Sequence, residues 1–525
     1  MRAASSPDKR EWLNTACILG VALCVRVWDL RARALWFDEA GEYWIATAPF
    51  SQLVASARTG TGDPPLYTLL LHTWMQISDS EAWLRFLSVI ASVAGVAGVM
   101  VLARRVAGAR VAMLAGVLMA FLPSDVRYAQ EVGQYAFVPA VVAWNLVFLH
   151  RMTQERTWRA VLGWTLTALA GTYVYYATVF PIAACFLCVV VESIARRDMR
   201  TRRATGTALV LYVVGLIPLL VSYLPTQLAR VVENSGKFAG AEHGRGVAQI
   251  LADKWKMASE LIAFQLTGWP HSHIATGLSV TPVLLLMVLA IRRAPRLLIW
   301  FAVAINVYAA VDLLRLFPLG YRWGMIMTPL IICAVAVGAL APRVRTFRWA
   351  TLAVYAAVVV MCVVSLPNRW LRDRVYPERS GSWPETEDLR VVTNFWMEHR
   401  VPGQATYVYY GAAPAFAYYT RHLASREGIP STWSFACWHE AEPPAYCRQN
   451  DIYYGRWLRN KSPVEKVQSI VATLGDQPDS LWLVFGHMVP NDDARMIAGM
   501  IREGYRLEAA AQGVNASTCL LVRNR

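Results

Sequence analysis

The apolar residues of this chain are bunched rather than spread. Over the first 366 residues, runs of roughly 15–21 mostly apolar residues alternate with short Arg-rich segments, close to the length a helix needs to cross a bilayer. In hydrocarbon only a helix or a closed barrel satisfies its own backbone, so runs of this length predict a bundle of spanning helices. Composition agrees, with 56% hydrophobic and 17% charged residues against about 25% charged in soluble domains. A cytosolic globular enzyme and a secreted disulfide scaffold are both excluded. Dividing the 525 residues into three or four soluble domains of about 150 residues does not apply here.

Eleven spans are predicted, near 12–30, 83–103, 111–123, 135–150, 160–172, 178–194, 205–224, 278–291, 297–314, 323–341 and 349–366. The first is not read as a cleaved leader, because Trp28, Arg31 and Arg33 follow it instead of a small-residue cleavage site. Positive charge sets orientation. With the N-terminus cytoplasmic, the inner segments carry 20 Lys and Arg in 50 residues and the outer segments 11 in 130. The net charge of +15 is therefore a topological signal, and a nucleic-acid partner is not expected. An odd number of spans puts the C-terminal part outside, and the expected location is a multi-pass protein of a bacterial plasma membrane.

The expected domains are a membrane part, 1–368, with outer loops 31–82, 124–134 and 225–277, and a small soluble extracytoplasmic α/β domain, 369–525. In the latter, 370–383 reads as a linker. Helical spacing is seen over 384–400, buried strands at 406–410 and 481–485, helices at 462–474 and 491–504, and a last strand at 518–523. Cys437 and Cys447 are close enough in sequence to pair in an oxidising compartment. A zinc site from Cys437, His439 and Cys447 lacks paired-ligand spacing, and no metal site is assigned.

Four stretches gather polar residues at the outer ends of spans. In Leu35–Trp44, Asp38, Glu39 and Glu42 lie among Trp36, Tyr43 and Trp44. A carboxylate partly desolvated by aromatics is suited to general-base work; the plain reading is an interfacial aromatic belt with solvated acids. Pro64-Pro65 opens a helix too short to span, suited to the outer interface. Pro123–Tyr135 gathers Asp125, Arg127, Gln130, Glu131 and Gln134, singly no more than a solvated loop. Arg322 opens the tenth span from outside, where an arginine commonly snorkels. Asp312 and Arg315, one turn apart, read as a structural ion pair.

The order of these stretches resembles the GT-C superfamily of membrane glycosyltransferases. The likeness is greatest to the branch with protein O-mannosyltransferases, the lipid A aminoarabinose transferase and rhizobial lipopolysaccharide sugar transferases. The matching motifs are Trp36-Phe37-Asp38-Glu39-Ala40, Pro64–Tyr67, Arg85 at the start of a span, Tyr128, Gln130, Glu131 and Tyr135 in the second outer loop, and Arg322 with Pro329. Three positions depart from the pattern: Gly133 where an Arg is usual, Asp63 where His or Lys often precedes the prolines, and Trp323 for Tyr.

The resemblance implies transfer of a sugar from a polyprenyl-phosphate-linked donor to a glycan, lipid or protein acceptor on the outer face. Asp38 is then the general base, with Glu39 beside it. Arg322, Arg127 and Arg245 are the candidate clamps for the donor phosphate, and Gln130, Glu131, Tyr135 and Glu42 are the candidate acceptor or second-loop residues. The resemblance names no obligatory cofactor and leaves room for a divalent cation. The competing class is a transporter or flippase of lipid-linked sugars, which calls for polar residues deep in several spans or internal repeats. The sequence shows neither.

Overall fold

The computed structural model describes residues 8–51, 53, 64–222, 249, 256, 259–266, 273–314, 322–375, 387–423, 433, 437, 447–449, 451–458, 461–475, 477–488 and 491–524. Arg245, Asp63, Arg315 and most of 225–277 lie outside them. The chain forms two compact units. One holds Met1–Trp28, Pro49–Asp79 and Trp83–Arg369, the other Asp29–Ala48, Ser80–Ala82 and Trp370–Arg525.

In chain order the helices are α1 Lys9–Val27, α2 Phe37–Ala46, α3 Pro65–Trp74, α4 Glu81–Ala107, α5 Ala109–Ala120, α6 Pro123–Ala129, α7 Phe137–Gln154, α8 Trp158–Val174, α9 Val179–Ala195 and α10 Met199–Ser222. They continue with α11 His273–Ala290, α12 Pro295–Leu313, α13 Thr328–Ala339 and α14 Arg345–Val375. A mixed region follows: α15 Leu389–His399, β1 Ala405–Val408, α16 Ala413–Thr420, β2 Arg448–Gln449, β3 Ile452–Tyr454, α17 Pro463–Leu474, β4 Ser480–Gly486, α18 Asp492–Arg502, β5 Tyr505–Gly513 and β6 Ala516–Arg523.

Among the described residues, six helical stretches are long and apolar enough to cross a bilayer: Glu81–Ala107, Gln134–Gln154, Tyr176–Ala195, Met199–Ser222, Pro295–Leu313 and Arg345–Leu366. A seventh is the bent pair α5–α6, turned by 59° at its break. The other expected spans are helical but fall short for identifiable reasons. α1 has 19 residues, with Lys9, Arg10, Glu11 and Arg26 among them, α8 has 17, and the apolar parts of α11 and α13 are shorter still.

Within the bundle every residue of α13 is buried. α11 approaches it so closely that a Cβ at Gly338 would lie 1.8 Å from the Leu286 carbonyl oxygen, the small-residue contact typical of helices in lipid. By contrast α10 exposes Val210, Val213, Val214, Ile217 and Val221, a surface made for lipid.

The break between α5 and α6 has a cause in α1. Arg26, fully buried, donates Nη1 to the Ala22 and Ala120 carbonyls (3.0 and 2.9 Å) and Nη2 to the Met119 carbonyl (3.1 Å). Nη2 also meets Asp125 Oδ2 at 2.6 Å, and Nε meets Ser92 Oγ at 2.6 Å. Ser92 completes the cluster by donating to the same Asp125 oxygen. The last carbonyls of a helix have no partner within it; here a guanidinium supplies one, and Pro123 then starts α6 at a position where no amide proton is needed.

The second unit contains a six-stranded sheet in the order β2-β3-β1-β4-β6-β5. β3, β1 and β4 run parallel, while β2, β6 and β5 join antiparallel. β1 is buried throughout and β4 beyond its first residue, the near-continuous apolar strands expected of a parallel core covered on both faces. α17 starts with a reciprocal Ser462/Glu465 cap and Pro463 in its first turn. Cys437 and Cys447 form a disulfide with Cα atoms 5.6 Å apart, so neither sulfur is available as a thiolate metal ligand. The segment Asp29–Ala48, grouped with the membrane part by sequence, folds with this unit, because the aromatic face of α2 packs on α16.

Candidate active site

In the sheet unit, Asp38 lies half-buried in the first turn of α2, next to the buried Glu39. The Glu39 carboxylate folds back to accept from the Trp36 N–H at 3.4 Å, closing the helix start. Glu42 is one turn on and half-buried. Several contacts hold this helix. Trp44 Nε1 donates to the Pro414 carbonyl at 2.9 Å, and Tyr43 meets Tyr418 edge-on at 4.9 Å. The Leu35 N–H donates to Tyr419 Oη at 2.7 Å, and that hydroxyl donates onward to Glu81 Oε1 at 2.5 Å, whose other oxygen meets Arg390 Nη2 at 3.0 Å. Burial, and then the Glu81 charge, keep the Tyr419 phenol well above its ordinary range, so it acts as a proton donor.

Two further residues sit at this helix start: Glu387, completely buried, and His487, whose ring stacks on Phe37 at 4.3 Å. Burial raises the Glu387 carboxyl, opposed by His487 and helped by Asp38. Neither was singled out by sequence. They come from α15's leading edge and the end of β4, far from residue 38, and only the tertiary fold connects them.

In the helical unit, the second-loop residues Arg127, Gln130, Glu131 and Gln134 are all buried, not solvated. Arg127 Nε approaches Glu131 Oε1 at 3.4 Å, and its guanidinium lies 5.8 Å from the Tyr128 ring centre. Gln130 Nε2 donates to the Arg26 and Trp28 carbonyls at 3.1 and 2.8 Å, which makes it a tie to the end of α1. Tyr128 and Tyr135 are 5.3 Å apart, and the half-buried Arg322 lies 5.3 Å above Tyr135. Arg127 and Arg322 thus meet the same aromatic pair. Nearby, Ser124 and Thr328 both donate to Gln265 Oε1, at 2.9 and 2.8 Å. Gly133 has an extended backbone, φ 174°, and a Cβ there would have only Tyr135 within 4 Å, so the missing arginine is not a demand of the fold. Pro64 and Pro65 start α3 as expected, with Tyr67 buried against Phe137 at 5.6 Å. Asp312 is buried. Arg26 and Asp125 form the buried ion pair that sequence did not anticipate; the signal available was a charged residue inside the first span. Among the described residues, no group of three His, Cys, Asp or Glu side chains could hold a metal ion.

Comparison with known proteins follows this geometry. Residues 62–221 match the family model of dolichyl-phosphate-mannose-protein mannosyltransferases. No curated protein matches the sequence. Among solved structures, the chain is similar to ArnT from Cupriavidus metallidurans in the apo state, with TM-score 0.56, 16% identity and 97% of each chain covered. It is also similar to the same enzyme bound to undecaprenyl phosphate, with TM-score 0.54, 14% identity and 98% of each chain covered. The apolar helices mark an integral, multi-pass membrane protein; residues 62–221 match the mannosyltransferase family model, and the chain shares the fold of these ArnT structures.

Proposed function

We propose that the chain transfers a sugar from a polyprenyl-phosphate-linked donor to an acceptor hydroxyl on a glycan, lipid or protein at the outer face of a bacterial membrane, with eleven crossings and the C-terminal unit outside. The observation that carries this reading is the pair of guanidinium groups, Arg127 and Arg322, over the Tyr128–Tyr135 rings; Arg127 and both rings lie inside the family-matched segment 62–221. A lipid phosphate leaving group is already anionic and gains charge as the sugar departs, so a cationic surface in a weakly polar setting stabilises the transition state. The bound undecaprenyl phosphate of the ArnT structure supports the same donor class.

In the proposed reaction the acceptor oxygen attacks the anomeric carbon while Asp38 takes its proton. The bond from that carbon to the phosphate oxygen breaks, and polyprenyl phosphate leaves with the electron pair. Glu39 braces the turn that carries Asp38; Glu42, Gln130, Glu131 and Tyr135 remain the candidate acceptor or second-loop residues. Arg245 remains a candidate phosphate contact outside the described residues.

The test is release of polyprenyl phosphate from a labelled lipid-linked sugar by the purified chain; a transporter releases none. Asp38→Asn is expected to lower turnover by at least ~10³-fold, the upper part of the range for a lost acid–base group, with the unfolding midpoint unchanged. Near-normal turnover in that variant overturns the base assignment. Arg322→Ala is expected to lower kcat/KM for the donor by ~10²-fold and to change acceptor KM little. Equal loss toward both substrates assigns Arg322 a structural role instead.

A further inference from the structure

His487 occupies an unusual position. It follows β4, the middle of the sheet, with φ +51°, a left-handed conformation that side chains other than glycine and asparagine rarely hold without a reason. Room for it comes from the neighbouring loop. At Gly411 a Cβ would lie 2.5 Å from the Gly486 carbonyl oxygen and 2.8 Å from His487 Cβ, so only glycine lets the two strand ends close up. The imidazole delivered this way lies flat on Phe37, with ring centres 4.3 Å apart and planes within 12°, and 6.3 Å from the Trp36 ring.

Its Nδ1 is 2.5 Å from Glu387 Oε1. Glu387 has no exposed side-chain surface, yet its carboxylate accepts the backbone N–H of Phe37 and feels the charge of Asp38. Phe37 is the first residue of α2. Its amide belongs to the first turn, whose N–H groups have no partner inside the helix, and a carboxylate there is favoured by the helix dipole. A buried carboxylate without a partner is costly, and His487 Nδ1 gives this one a hydrogen-bond partner.

We propose that Glu387 and His487 are positioning residues for Asp38: Glu387 holds the amide of residue 37 and His487, held by Glu387, packs on its ring. Together they fix the backbone from which the Asp38 carboxylate projects. This rests on the reading of Asp38 as the base. It makes the C-terminal sheet part of the catalytic apparatus rather than an acceptor-selecting appendage. A base displaced by about 1 Å loses on the order of 10²-fold in rate.

Glu387→Gln keeps an oxygen for the Phe37 amide and removes the charge; His487→Phe keeps the stack and removes Nδ1. Each is expected to lower kcat per folded molecule by ~10²-fold, with donor and acceptor KM changed less than about threefold, whatever the change in unfolding midpoint. A residue that only stabilises the sheet would lower the midpoint and the amount of active protein while leaving kcat per folded molecule intact, and that pattern overturns the proposal.

A readout independent of turnover separates this from the base assignment. In an Asp38→Cys chain with the exposed Cys17 and Cys24 replaced by Ser, the maleimide reaction rate at position 38 reports local order and charge. Adding Glu387→Gln or His487→Phe is expected to change that rate at least about fivefold, the response of a thiolate whose charged surroundings are altered; an unchanged rate overturns the positioning role. Normal turnover in Asp38→Asn overturns the base assignment and leaves the labelling result standing by itself.

Discussion

The helical unit and the sheet unit each bury an acid–base pair, and the two pairs are built differently. Arg26–Asp125 uses a guanidinium that never loses its proton in a protein; five contacts to backbone and side chains surround it, and neither partner has exposed surface. Glu387–His487 pairs an imidazole with a carboxyl that burial pushes up. The first is a permanent staple between α1, α4 and the α5–α6 break. The second joins the end of β4 to the start of α2 through a carboxyl that burial holds above its ordinary range.

The largest effect on stability should come from cutting the staple. Arg26→Met leaves Asp125 buried without its counter-ion and takes a side-chain donor from the Ala22, Met119 and Ala120 carbonyls, at a cost of about 3–5 kcal/mol, seen as a large drop in folded yield and unfolding midpoint in detergent. Replacing Asp125 by Leu in the same chain should recover much of that loss. An Arg26→Met chain as stable as the parent would break the comparison.

Next is Lys466–Asp492, a pair in the sheet unit at 2.6 Å and nearly fully buried. It resembles Arg26–Asp125 in using a strong cation, but Arg495 also reaches Asp492, at 3.5 Å. Lys466→Met should therefore cost less, about 2 kcal/mol, by chemical unfolding. A larger loss than Arg26→Met would reverse the ranking of the two units.

The smallest effect sharpens the contrast in titration. Burial holds the Glu387 carboxyl above its ordinary 4.5, so the folded chain keeps a proton that the unfolded chain releases. Stability from this group is complete below pH about 4.5 and is lost as pH rises through the folded value. The unfolding midpoint of the parent should thus fall with rising pH more steeply than that of Glu387→Gln over that window. Identical slopes would mean that His487 fully offsets burial.

Local chemistry was legible in the sequence. The paired prolines mark the start of α3, Ser462 and Glu465 mark α17, and the apolar runs at 481–485 and 518–523 lie within β4 and β6. The second outer loop was misjudged as solvated, because Arg127, Glu131 and Asp125 look alike whether they face water or each other. Asp125 finds its partner 99 positions away, and Glu387 finds His487 at a separation of 100. No periodicity or spacing encodes such distances. β3, β5 and α16 were missed for a related reason. β3 has only three residues, and β5 exposes alternate positions of a polar, Ala-rich stretch, so neither has an apolar signature of its own.

The compact unit that contains α2 is discontinuous in the chain, joining 29–48 to 370–525. During synthesis the helix bearing Asp38 is made first, and β4 and His487 follow more than four hundred residues later. At roughly 5–20 residues per second, that helix waits on the order of half a minute for the partner that completes it. A chain stopped at the end of α14 would have its whole bundle and no seat for its proposed base. The proposed base is thus seated only after the sheet has been made, a timing set by connectivity alone.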